Sequence, residues 1–130
     1  MTKTASRIGQ INLVTIPATD QDRSIAFYVE KLGFEKRTDI PFGGQYRWVE
    51  VYPPSGTAGI ALAPPQPGSE PSAKETGITL TTDDIEATHA HLRSEGVDVD
   101  AEVSRMGDPV PPMFWFRDPD GHTLLIVEQS

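Results

Sequence analysis

The 130-residue chain has no cysteine. Disulfide scaffolds, thiolate zinc sites, iron–sulfur clusters and cysteine nucleophiles are therefore excluded. The absence suits a reducing compartment, and a cytoplasmic protein is expected. Basic residues are the minority: eleven Lys+Arg stand against nineteen Asp+Glu, a formal net charge of -8. Such a chain repels phosphate backbones and anionic headgroups, so neither a nucleic acid nor a membrane is an expected partner. Uninterrupted apolar stretches such as Leu124 to Val127 are far short of a membrane span. The opening Met-Thr-Lys-Thr-Ala-Ser-Arg is not followed by the apolar segment of a signal peptide. Gly-x-Gly-x-x-Gly, Walker and nucleophile-elbow patterns are also missing.

Proline and glycine, by contrast, are plentiful, at twelve and eleven residues. They punctuate the chain into short elements. Ile11 to Ile16 reads as a strand ended by Pro17. Asp20 offers an N-cap, and Ile25, Tyr28, Val29 and Leu32 form the apolar stripe of a helix that Gly33 stops. Phe34 to Thr38, Gln45 to Tyr52 and Gly59 to Ala63 read as three further strands. Ile78 to Thr81 opens a second series. Asp83 caps a helix with Glu86 three residues on, Ile85, Thr88 and Leu92 face inward, and Gly96 stops it. Strands at Val97 to Val103, Met113 to Phe116 and Thr123 to Val127 follow. Asp-to-Gly spacing is the same in both halves, 20 to 33 and 83 to 96. The chain is therefore one domain, residues 1–130, built from a repeat: module one over 8–63, a Pro-rich linker over 64–75, and module two over 76–130. Each half is βαβββ and too small to bury a core alone.

Within this repeat, Ile16-Pro17 to Asp20, Arg23-Ser24-Ile25-Ala26-Phe27-Tyr28, Lys31-Leu32-Gly33-Phe34 and Arg117-Asp118-Pro119-Asp120-Gly121 resemble the vicinal-oxygen-chelate superfamily. That group includes glyoxalase, extradiol dioxygenases and bleomycin-resistance proteins. The resemblance implies an α+β fold in which the two modules form a curved eight-stranded mixed sheet around a U-shaped cavity, with helices outside. It also implies metal ligands on the first and last strands of each module. Carried over, those positions fall at Leu13, Ala61, Thr76 or Gly77, and Leu125. None of these side chains ligates a divalent metal. The expectation is a cavity with no metal ligand and no cofactor; the alternative is one divalent ion held in another register, with contributions from Glu50, His122 and Glu128.

Candidate site residues follow from strand alternation. Tyr46, Trp48, Glu50 and Tyr52 share one face of their strand, and Arg47, Val49 and Val51 the other. The valines suit the helix side, which leaves Tyr46, Trp48 and Glu50 toward the cavity. Glu50 is the candidate base; an ion pair with Arg47, Arg37 or Arg117 is the other reading. His122, after the Asp-Pro-Asp-Gly turn, is a second candidate acid or base, at the cavity rim. In Met113-Phe114-Trp115-Phe116 either face brings aromatic surface, so Phe114 and Trp115 join Leu13 and Leu125 as candidate ligand contacts. His89 and His91 are roughly 200° apart on their helix and cannot share a metal. The expected function is binding of a small aromatic or cationic organic molecule by a homodimer. A metal-dependent lyase, isomerase or dioxygenase is the alternative, and a non-catalytic ligand sensor or subunit is the third reading.

Overall fold

The computed structural model describes residues 7–41, 43–44, 46–65 and 75–129. The core of the Pro-rich linker, residues 66–74, lies outside the described residues, as do Phe42 and Gln45. Module one runs β1 (Leu13–Pro17), α1 (Gln21–Ala26) continued by a π-helical turn (Phe27–Lys31), β2 (Glu35–Pro41), β3 (Arg47–Tyr52) and β4 (Gly59–Ala63). Module two runs β5 (Glu75–Thr82), α2 (Ile85–Ser94), β6 (Asp98–Val99), β7 (Met113–Arg117) and β8 (Thr123–Glu128). The α+β class and the βαβββ repeat are as expected. The eight strands form two four-stranded mixed sheets, ordered β1-β4-β3-β2 and β5-β8-β7-β6. In each, the first strand pairs in parallel with the last, while the inner pairings are antiparallel.

Local signals account for most boundaries. Asp20 caps α1 by accepting from the Arg23 amide, and Gly33 and Gly96 end their helical segments with φ of 80° and 79°, a region open to glycine at little cost. Two expectations need correction. The cap of α2 is Asp84, which accepts from the Ala87 amide, and not Asp83. The strand expected over 97–103 shrinks to Asp98–Val99, because the Asp100 carboxylate accepts from the Trp115 amide and the Arg117 guanidinium and the chain then bends away.

Both sheets turn one face to a common core. Val49, Val51, Ile60 and Leu62 from the first meet Phe114, Phe116, Leu124 and Ile126 from the second, with Phe27, Tyr28, Ile85 and Leu92 of the helices between. The Phe27 and Phe116 rings stack at 6.2 Å, which joins the modules. A polar seam adds to this. The Tyr28 hydroxyl donates to Asp118, His122 Nε2 lies 3.1 Å from the Pro17 carbonyl, and the Thr19 hydroxyl donates to Asp120.

Burial pushes the Asp118 carboxyl above the usual carboxylate range, outweighing the His122 amide, the His122 charge and the Tyr28 hydroxyl, which act the other way. A carboxyl raised in the folded state adds stability below its unfolded pKa and loses that contribution as pH rises through the folded value. The wild type should therefore gain stability relative to Asp118→Asn as pH falls from 7 toward 4. Urea denaturation across that range measures this, and a pH-independent difference contradicts it.

Candidate functional site

Strand alternation gives each sheet a second, helix-free face that points away from the common core. On module one it carries Leu13, Thr15, Trp48, Glu50 and Ala61; Glu50 sits directly opposite Ala61 in the β3–β4 ladder. On module two it carries Met113, Trp115, Leu125 and Val127, half-buried residues that alternate with the fully buried Phe114, Phe116, Leu124 and Ile126. Trp115 and Leu125 are ladder partners. The chain has two tryptophans, and both stand on these faces.

Glu50 is the polar centre of the first face. Its Oε2 accepts from Trp48 Nε1 at 2.7 Å, and its Oε1 accepts from the Tyr52 hydroxyl at 2.8 Å. That hydrogen bond, with burial and the Glu50 charge behind it, raises the Tyr52 pKa, so the hydroxyl stays a donor. The three arginines considered as ion-pair partners of Glu50 are engaged elsewhere. Arg47 pairs with Asp22 and Asp39, Arg117 with Asp98 and Asp100, and Arg37 with Glu35. Arg37 also lies 4.5 Å from the Tyr52 ring centroid.

The structure thus groups Trp48, Glu50 and Leu13 on one helix-free face, and Trp115 and Leu125 on the other. Phe114 stands away from both: it is 0% exposed, faces the core, and meets the His89 ring edge-on at 4.8 Å. His122 is also in the interior, at the seam between Pro17 and Asp118. Its side chain shares the core face with Leu124, two residues on. Tyr46 is exposed just before β3 and lines a shallow recess with Thr19, Asp20 and Gln21 at the start of α1. Tyr52, which donates to Glu50, and Gly59, which lies under its ring, also stand on this face and are not among the candidates that the sequence offers. Tyr52 shares the alternation of Trp48 and Glu50, which is the signal that identifies it. Gly59 becomes visible only once β3 and β4 are paired.

The metal centre of the family's metalloenzymes does not fit these residues. Leu13, Ala61 and Leu125 have hydrocarbon side chains, and at the remaining position Gly77 has none while the Thr76 hydroxyl donates to the Thr123 carbonyl. Among the described residues, no group of three or more His, Asp or Glu side chains is placed to hold a metal ion. Clefts of about 640 and 440 Å³ lie on the helix-bearing side. The larger runs between the π-helical turn and α2, lined by Lys31, Phe34, Leu80, Asp84 and His91. The smaller lies between α1 and β6–β7. Neither is lined by Trp48, Glu50 or Trp115, which are half-buried on the helix-free faces. Among the described residues, no helix is long and apolar enough to cross a membrane.

Comparison with known proteins agrees with this architecture. Residues 10–126 match the family model of the Glyoxalase/Bleomycin resistance protein/Dioxygenase superfamily. The chain is similar to TnmS3, an antibiotic binding protein from Streptomyces sp. CB03234, at 31% identity and a TM-score of 0.81, covering 96% of this chain and 99% of that one. It is also similar to a superfamily member from Sphaerobacter thermophilus, at 34% identity and a TM-score of 0.84, covering 94% and 98%. The protein YurT of Bacillus subtilis is 32% identical, over 92% of this chain and 99% of its own length. With a family model spanning nearly the whole repeat and relatives alike end to end, the chain belongs to the Glyoxalase/Bleomycin resistance protein/Dioxygenase superfamily.

Proposed function

We propose that the chain binds a small, flat organic molecule on its helix-free faces, with Trp48 and Trp115 as stacking surfaces and Leu13 and Leu125 as apolar walls. The observation that carries this reading is the placement of both tryptophans, each half-buried, off the core and on those faces. Indoles left partly in contact with water on a rigid sheet supply contact area with little conformational entropy to lose. The similarity to an antibiotic binding protein supports the same class of activity. The face lacks a donor set for a resident metal, so the reading needs none.

A homodimer belongs to this proposal. The helix-free faces point away from the shared core, and their tryptophans keep part of their surface in contact with water. A second copy laid against them encloses a pocket and satisfies the closed symmetry that most soluble oligomers adopt.

Calorimetric titration with a panel of polycyclic aromatic antibiotics and dyes tests the binding. Saturable binding at about micromolar affinity or better is expected, together with sedimentation as a dimer. Titration with nickel, zinc, manganese or iron(II) is expected to give no stoichiometric site. A tight 1:1 metal complex, or failure of every aromatic compound to bind, contradicts the proposal.

A further inference from the structure

Glu50 is unusual in how completely it is held. Trp48 Nε1 and the Tyr52 hydroxyl each donate to a different carboxylate oxygen. An indole N–H can only donate, so Oε2 is fixed as an acceptor. Each oxygen still has a second acceptor position. Among the described residues no cation lies within ion-pair distance of this carboxylate, although Arg37, Arg47 and Arg117 all find acidic partners of their own. The result is an acceptor oriented by two neutral donors, on an aromatic face, with no ion-pair partner among the described residues.

The Tyr52 ring in turn lies against bare backbone. A Cβ added at Gly59 would stand 2.7 Å from ring carbons Cδ2 and Cε2, and 2.8 Å from the Val51 carbonyl. Only glycine leaves room for the ring at that point in β4. Arg37 stacks on the same ring and is itself anchored on the carbonyls of Pro53, Pro54 and Gly56. The tyrosine is thus placed by two neighbours so that its hydroxyl meets Glu50.

We propose that Glu50 is a fixed anionic receptor for a cationic group of the ligand, a protonated amine, amidine or guanidinium, and that Tyr52, seated on Gly59, positions it. This rests on the small-molecule binding proposed above and names the chemistry of its ligand. It also gives Glu50 a binding role in place of a general base. A cation brought between aromatic walls gains from the ring faces as well as from the carboxylate.

The probes are 4-phenylbenzamidine, cationic at neutral pH, and 4-phenylbenzamide, its neutral counterpart of nearly the same shape. The wild-type protein is expected to bind the amidine about tenfold tighter than the amide, the size of a charge-assisted hydrogen bond. Glu50→Gln should bring the ratio of the two affinities from about tenfold to about one. Gly59→Ala and Tyr52→Phe should each reduce that ratio several-fold. The urea midpoint of each variant, measured alongside, separates a loss of positioning from a loss of fold. Equal affinity of the two probes for the wild type, or a preference that survives Glu50→Gln, overturns the role of Glu50 and leaves small-molecule binding standing. If neither probe binds the wild type, the inference falls, while the binding reading is decided separately by the polycyclic panel.

Discussion

Replacing Phe114 by alanine should destabilise the fold by about 3–5 kcal/mol, the range for truncating a buried aromatic. Phe114 is 0% exposed, sits opposite Ile126 in the β7–β8 ladder, and has the His89 ring against it. The hole cannot collapse easily. His89 is tied to the Asp100 carbonyl at 2.7 Å, and the neighbouring Phe116 of β7 is stacked on Phe27 of the helical segment. Trp115, one residue away, has its larger side chain half-buried on the opposite face. Trp115→Ala should cost about 1 kcal/mol, near the centre of the range for ordinary substitutions. Urea denaturation of the two variants compares them directly. Similar losses for both would mean that the faces of β7 are assigned wrongly.

The second large effect is on binding. Trp48→Ala should weaken binding of an aromatic ligand by about 30-fold or more, the level of an interface hot spot. Two contributions are lost together: the stacking surface and the Nε1–H donor that holds Glu50. Trp48→Phe separates them. It keeps a ring but has no donor, so it should retain most affinity for a neutral aromatic and lose preference for a cationic one. The fold should tolerate both changes, because Trp48 lies outside the core cluster. Calorimetric titration of the three proteins with a neutral and a cationic aromatic ligand reads the result. Unchanged affinity in Trp48→Ala would move the site elsewhere.

The β3 face was legible from sequence because Arg47-Trp48-Val49-Glu50-Val51-Tyr52 alternates in chemical character, and a period of two assigns each residue to one side. Met113-Phe114-Trp115-Phe116 was not, since every position is apolar and the pattern gives both faces the same appearance. Only pairing with β8 and the position of α2 decide between Phe114 and Trp115. The first helix shows a different limit. Its apolar stripe predicts one buried side, yet Phe27 and Tyr28, adjacent in sequence, are both buried. The helical segment lies between two sheets, and its π-helical turn, closed by the Leu32 amide on the Phe27 carbonyl, changes the angular spacing of the side chains. His122 illustrates a long-range contact that no local pattern encodes: its partner Pro17 is 105 residues away. Asp84 in place of Asp83 is a one-residue ambiguity between neighbouring aspartates, settled by which carboxylate reaches the Ala87 amide.

Ligand binding on the faces that carry Trp48 and Trp115 has a direct spectroscopic readout. Two tryptophans give two indole N–H signals in a nitrogen-15 correlation spectrum, one from the donor to Glu50 and one from β7, and each variant assigns its own missing peak. Titration with an aromatic ligand identified by calorimetry should shift or broaden both indole signals saturably, with the same dissociation constant as the heat. A ligand that binds by calorimetry while both indole signals stay in place would contradict the account and direct attention to the clefts on the helix-bearing side.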